Sequence, residues 1–154
     1  VNLQRAAAAP GVHFVISGLE LAQEIPPVQD QQLPLPHKWR TKNHLGSIYF
    51  GALAIGADLA GAFLVFTKAK ARGVNANFAF KDVEGKFLKR PESTVHFISH
   101  DGDVIDQMLD ESIATGERIN RPVSVIVTCP EKNGDDVMAS FTLTLSIKAK
   151  ARSK

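Results

Sequence analysis

Cysteine is almost missing from this chain: among 154 residues there is one, Cys129. An internal disulfide framework is thereby excluded, and a lone thiol suits a reducing compartment, so a cytoplasmic location is expected. Cys129 follows the β-branched run at 123–128 and reads as a packing residue, not a nucleophile. Aromatic residues make up only 7%, with one Trp and one Tyr. Neither sign of charge dominates: 18 Lys and Arg against 16 Asp and Glu leave a formal +2. A net charge this small does not argue for nucleic acid. No Gly-x-Ser-x-Gly elbow and no phosphate-binding glycine loop occur, which removes two common catalytic signatures. Residues 1–9 carry an arginine and an alanine run with no apolar h-region behind them, so no secretory signal is read there. No repeat, linker or low-complexity block interrupts the chain. One domain spanning 1–154 is expected, long enough to bury a sizeable core.

What is present begins with one long apolar run, residues 47–67, SIYFGALAIGADLAGAFLVFT. The turn Asn43-His44-Leu45-Gly46 precedes it and Ser47 is placed to cap it. Lys68, Lys70 and Arg72 suit a helix C-terminus, and Gly73 suits its stop. At ~100° per residue one face holds Gly51, Ala54, Ile55, Asp58, Gly61, Ala62 and Val65. Tyr49, Leu53, Gly56, Ala60 and Phe63 fall opposite. A helix apolar on both faces is expected to be enclosed on nearly every side. A membrane span has the same length, but a charge at its centre, here Asp58, costs roughly 2.5–3.5 kcal/mol on insertion scales. Cations flank both ends of the run, so no inside-positive asymmetry exists. The expectation is a soluble helix wrapped by a curved sheet, without membrane insertion.

The remainder is mostly strand. Residues 31–36 predict an edge strand, since their prolines cannot donate to a central ladder. Residues 78–83 and 86–90 predict one strand bulged at Gly85, and 94–99 alternates. Val104, Ile105, Met108, Leu109 and Ile113 give 103–115 a helical spacing, stopped by Gly116. Asn133-Gly134 predicts a hairpin turn between the strand at 123–128 and the clean alternation of Phe141, Leu143, Leu145 and Ile147 with Thr142, Thr144 and Ser146. Residues 2–9 predict a short helix, while 12–16 and 18–25 are mixed and give no firm element. A buried helix followed by strands is an α+β chain with a largely antiparallel sheet.

Asp58 carries the chemical interest. A carboxylate on an apolar helix must be paired, hydrogen-bonded or neutralised by a raised pKa. It is either a structural acid satisfied by a neighbour, or a general base or nucleophile in a water-poor cleft. The helix start near Phe50 and Gly51 offers unpaired amides able to stabilise an oxyanion. Asn43 supplies a side-chain amide that either positions water or a carbonyl, or simply builds the turn.

The run Asn43-His44-Leu45-Gly46-Ser47-Ile48-Tyr49-Phe50-Gly51-Ala52-Leu53, followed by Asp58, resembles the central-helix signature of hotdog-fold thioesterases, most closely the phenylacetyl-CoA-type branch. Phe87-Leu88-Lys89-Arg90-Pro91 is similar to the strand that crosses the helix there, and the likeness covers about residues 30–150. The resemblance implies a hotdog fold and hydrolysis of acyl-CoA or a related thioester. It implies Asp58 as catalytic acid, Asn43 as the positioning amide and the Phe50 backbone amide as oxyanion donor. It also implies a homodimer or a dimer of dimers with sites shared between subunits. His44 and Gly51 would line the substrate, and Lys89 and Arg90 would meet the CoA phosphates or be solvated strand-end charges. One position departs: Tyr49-Phe50-Gly51 stands where the family often has His-Gly-Gly, so Phe50 crowds the thioester pocket.

No metal and no cofactor is expected. His96 and His100 are four apart but lie in a strand-like segment without a further ligand, and His100-Asp101-Gly102-Asp103 lacks calcium-loop spacing, leaving Asp101 or Asp103 as a helix cap. A non-catalytic acyl- or CoA-binding module is the alternative function. A hotdog dehydratase would need a histidine on or beside the central helix, and 47–67 has none.

Overall fold

The computed structural model describes residues 30–151; the sequence readings at 2–9, 12–16 and 18–25 lie outside the described residues. In chain order come β1 (Gln31–Leu35), α1 (Phe50–Ala71), β2 (Val74–Phe87), β3 (Val95–Ser99), α2 (Gly102–Thr115), β4 (Ile119–Thr128), a single helical turn α3 (Pro130–Asn133) and β5 (Val137–Ala151). The five strands form one antiparallel sheet in the order β1-β3-β4-β5-β2. α1 touches all five strands and α2. A curled sheet around one long helix is the hotdog arrangement that the resemblance implies, and it is the fold of this chain.

The core follows from period-two patterning. Along β5, Phe141, Leu143, Leu145 and Ile147 point inward and are buried, as are Val123, Val125 and Val127 on β4 and Val95 and Phe97 on β3. They meet Ala52, Leu53, Ala57, Ala60, Leu64 and Val65 of α1. The small residues of α1 set how near the sheet comes. Gly56 lies against the Phe97 ring so closely that a methyl there would collide with it. α2 buries Ile105, Met108 and Leu109 and ends at Gly116, whose φ of 72° is the left-handed cap that glycine accepts freely. Cys129 is fully buried, its sulfur 3.0 Å from Ser93 Oγ.

Several boundaries differ from the sequence expectation. The central helix runs Phe50–Ala71 instead of 47–67. Its N-cap is Tyr49, without a side-chain cap bond. Ser47 is drawn out of the capping role because Lys42 and Ile48 form a β-bridge and both Ser47 N and Ser47 Oγ donate to Asn43 Oδ1. At the other end the cations Lys68 and Lys70 are inside the last turns. β2 is one continuous strand ending at Phe87, so Lys89 and Arg90 lie beyond it. Its register shift falls between Phe80 and Val83, not at Gly85, with Asp82 accepting from the Thr144 hydroxyl at 2.7 Å. Asn133-Gly134 ends the α3 turn instead of forming a two-residue hairpin. Asp101 occupies the N-cap position of α2, but its carboxylate accepts from the Ser124 backbone N–H.

The largest difference concerns enclosure. α1 was expected to be covered on nearly every side, and Asp58 to be buried. In the single chain the sheet covers one side, and Ile55, Asp58, Leu59 and Phe66 remain exposed in a stripe. A curved sheet wraps only part of a cylinder, so the faces turned away stay open in the chain as it stands.

Candidate functional site

The site is built where the loop after β1 enters α1. Asn43 organises that loop: its Oδ1 accepts from Leu45 N at 2.9 Å and from Ser47 N at 3.2 Å. Gly46, with φ of 79°, lets the chain reverse inside it. Asn43 N donates to Ser47 O and Gly46 N to Asn43 O. The side-chain oxygen of Asn43 is therefore committed to the turn, and its NH2 group is what remains for another acceptor.

The loop then delivers the start of α1. Tyr49 N donates to Thr41 O, while Ala52 N and Leu53 N both reach Tyr49 O. Among the described residues, the N–H groups of Phe50 and Gly51 meet no acceptor. No acidic side chain stands in the first turn to compensate them. Two free amides at the positive end of a 22-residue helix form a place for an anion or a developing oxyanion.

Phe50 is 68% exposed and packs edge-to-face on Phe87, centroids 5.5 Å apart; Phe87 packs likewise on Phe141 at 5.6 Å. These rings tie the helix start to the end of β2. Gly51 is half-buried, and a Cβ there would run into the Tyr49 ring. His44 is exposed on the loop. Lys89 is bound to Asp136 at 2.6 Å, while Arg90, exposed, makes no hydrogen bond or ion pair with a described residue.

Asp58 lies on the open stripe. It makes no hydrogen bond or ion pair with any described residue. Its solvent exposure and its electrostatics pull apart: the side chain is accessible in the single chain, yet the apolar surroundings desolvate it enough to raise its carboxyl above the ordinary carboxylate range. An unpaired carboxylate so placed is a stronger base than a fully solvated one. At ~1.5 Å rise per residue, the eight positions from Phe50 to Asp58 separate them by about 12 Å along the axis.

Of the residues singled out in the sequence, the structure brings Asn43, His44, Phe50 and Gly51 together at one end of α1. It sets Lys89 and Arg90 just past the strand end that touches Phe50, and it leaves Asp58 two turns away. Sequence reasoning passed over Phe141 as a neighbour of the site; Phe87 entered only within the run likened to the strand that crosses the helix. It also missed Thr41, whose carbonyl holds the Tyr49 amide; only the partner across the loop shows its use.

Comparison with models of known families gives no match, and neither does comparison with curated protein sequences. Solved structures do match. A Pseudomonas aeruginosa protein described as a probable thioesterase aligns at TM-score 0.65 and 20% identity, over 81% of this chain and 78% of that one. One from Shewanella oneidensis, provisionally named a thioesterase, aligns at 0.66 and 14%, over 80% of each chain. A Streptococcus mutans protein solved with acetyl-CoA bound aligns at 0.57 and 15%, over 83% of this chain and 88% of that one. At these identities the likeness establishes the shared fold.

Proposed function

We propose that this chain hydrolyses acyl-CoA-type thioesters at a site completed between two copies. The observation that carries the reading is the pairing of two unused polar features on one helix: the free Phe50 and Gly51 amides, and the unpartnered Asp58 on an apolar stripe. Separated by about 12 Å, they cannot serve one carbonyl within a chain, since reacting atoms must approach to ~3–3.5 Å. A twofold axis across the stripe sets the amides of one copy opposite the Asp58 of the other. Ile55, Leu59 and Phe66 would be the apolar surface that such a dimer removes from water.

The chemistry needs little else. The thioester carbonyl oxygen accepts from the Phe50 and Gly51 N–H groups. Asp58 takes a proton from water as the water oxygen adds to the carbonyl carbon. The oxyanion then collapses, the C–S bond breaks, and the thiol leaves with the proton Asp58 held, releasing a carboxylic acid. Direct attack by Asp58, followed by hydrolysis of the anhydride, uses the same groups. Asn43 contributes through its NH2, as a donor to substrate or water. The thioesterase names and the acetyl-CoA of the structural neighbours support this substrate class. The single buried thiol supports a cytoplasmic setting.

A second reading, an acyl- or CoA-binding module without turnover, is favoured by Phe50, whose exposed ring stands beside the amides the thioester must reach. The test is thiol release from a panel of acyl-CoAs, run with wild type and Asp58→Asn beside sedimentation. The hydrolase reading expects a dimer or larger and turnover that collapses in the variant. Binding of acyl-CoA with no thiol release from any member would install the module instead.

A further inference from the structure

The whole-chain charge of +2 conceals a local imbalance. Between Asp30 and Asp58 the sequence contains no acidic residue, and the loop between β1 and α1 gathers Lys38, Arg40 and Lys42 around Trp39. All four side chains are exposed, and Trp39, the one tryptophan of the chain, is 76% exposed. A large apolar ring left so open normally earns an explanation.

The loop is not a loose tether. Thr41 Oγ1 accepts from Lys38 N at 2.9 Å and donates to Pro36 O at 2.8 Å. Thr41 N donates to Lys38 O, Lys42 bridges to Ile48, and a His37 ring nitrogen bonds Gly46 O at 2.7 Å. The cations and the indole are thus presented on a framed turn, with the Arg40 guanidinium 4.9 Å from the Trp39 ring centre. The frame is joined to the candidate site by the Thr41–Tyr49 bond of 2.9 Å, one residue before Phe50. Chain geometry caps the separation of Trp39 from the Phe50 amide at on the order of 15 Å.

We propose that residues 38–42 form the anchor for the nucleotide end of a CoA thioester, with Trp39 against the adenine ring and Lys38, Arg40 and Lys42 against the phosphates. This rests on the hydrolase reading and sharpens it: the substrate is a CoA ester in preference to a thioester on a carrier protein. Three cations within five residues match phosphates clustered on one small molecule. Acids spaced along a carrier-protein helix would be met by a longer, dispersed set of cations. An exposed indole adds a flat stacking partner, which an adenine offers and an acidic helix face lacks. A separation of at most on the order of 15 Å lies within the span of the arm that joins the nucleotide to the thioester.

Because Trp39 is the chain's one tryptophan, its fluorescence reads this loop directly. The experiment titrates the full chain with CoA, adenosine 3′,5′-bisphosphate, pantetheine, anionic phospholipid vesicles and a short single-stranded oligonucleotide. CoA and the bisphosphate are expected to change the emission saturably and pantetheine to leave it alone, with the affinity for CoA falling about tenfold in Lys38→Gln/Lys42→Gln. In turnover, Trp39→Ala is expected to raise KM for an acyl-CoA and to leave the N-acetylcysteamine thioester of the same acid unaffected. No saturable response to CoA and the bisphosphate overturns the assignment. So does an unchanged affinity in the double variant, or a response confined to vesicles or to the oligonucleotide. The two readings separate cleanly: hydrolysis without the fluorescence response defeats this anchor alone, and the response without hydrolysis of any thioester defeats the hydrolase reading.

Discussion

The two ends of α1 are built from the same apolar sequence and treat their polar groups in opposite ways. At the C-terminal end the charges that face α2 are answered. Lys68, only 4% exposed, donates to Asp106 at 2.7 Å, and Arg72 reaches Asp106 at 2.8 Å and Asp110 at 2.9 Å. These bonds fasten α2 to α1 and place cations where the helix dipole favours them. At the N-terminal end two amides are left over, and two turns further along so is one carboxylate. Polar groups that the chain satisfies itself belong to folding; on the proposed reading, those it leaves open serve the substrate and a second copy. On the proposed reading, the C-terminal end of the helix serves stability and its N-terminal half serves chemistry.

The sharpest way to break that assignment is Asp58→Asn. A general base typically supplies ~10²–10⁴-fold, so kcat should fall by that order with little change in KM, and Tm should not fall. A lowered Tm with activity tracking the folded fraction would make Asp58 structural. Next in size is Phe50→Pro, which deletes the oxyanion N–H at the first helical position, where proline is tolerated. Tyr49, at φ −79° and ψ 155°, already has the extended backbone a following proline requires. Thiol release should drop ~10²–10³-fold, as for loss of one oxyanion donor, while Phe50→Ala, which keeps the amide, should not share that drop.

The C-terminal end should respond in the other currency. Asp106→Ala removes the carboxylate to which both Lys68 and Arg72 donate, and loss of charge-assisted bonds of this kind costs about 1.5–3 kcal/mol. Denaturant unfolding should show that loss, with kcat per folded molecule near wild type. The smallest effect expected is in the pH dependence. Burial among apolar groups raises Asp58, so the folded chain holds that proton more tightly than the unfolded one. Its contribution to stability is present below the ordinary carboxylate range and lost as pH rises through the raised value. For Asp106, desolvation pushes up, but hydrogen bonds and charge from Lys68 and Arg72 outweigh it and hold the carboxyl low. That contribution is present above the ordinary range and lost as pH falls through the lowered value. Thermal scans should therefore show a Tm gap between Asp58→Asn and wild type that opens as pH rises, and one between wild type and Asp106→Ala that closes as pH falls.

Much of the fold was legible. Alternation along 141–147 and the 3.6-residue spacing of 103–115 each predicted the right element because each has one wet and one dry face. The central helix was found by its apolarity, but that same uniformity hid which side its own sheet would cover. Its Ile55–Asp58–Leu59–Phe66 stripe looks, in sequence, like the buried Ala57–Ala60–Leu64 side. β2 was misread because residues 81–87 are exposed on both sides, so no alternation marks them. Ser47 obeyed a capping rule locally and was overruled by the Lys42–Ile48 bridge, a contact across the loop. Of the site, Asp58 and the helix start were visible as residues out of keeping with their surroundings. Lys38, Arg40 and Lys42 were read only as cations flanking the apolar run; their grouping around an exposed Trp39 was not visible, because exposure is a property of the folded loop.

The central claim, a thioester site assembled from the amides of one copy and the Asp58 of another, can be tested by mixing two inactive variants. Asp58→Asn and Phe50→Pro, each purified, are dissociated together and allowed to reassociate. In a mixed dimer one site receives both defects and the other receives none, so random exchange should restore about a quarter of the wild-type rate of thiol release. If the mixture, with subunit exchange verified, stays as inactive as its components, the two groups do not meet across subunits and the account is wrong.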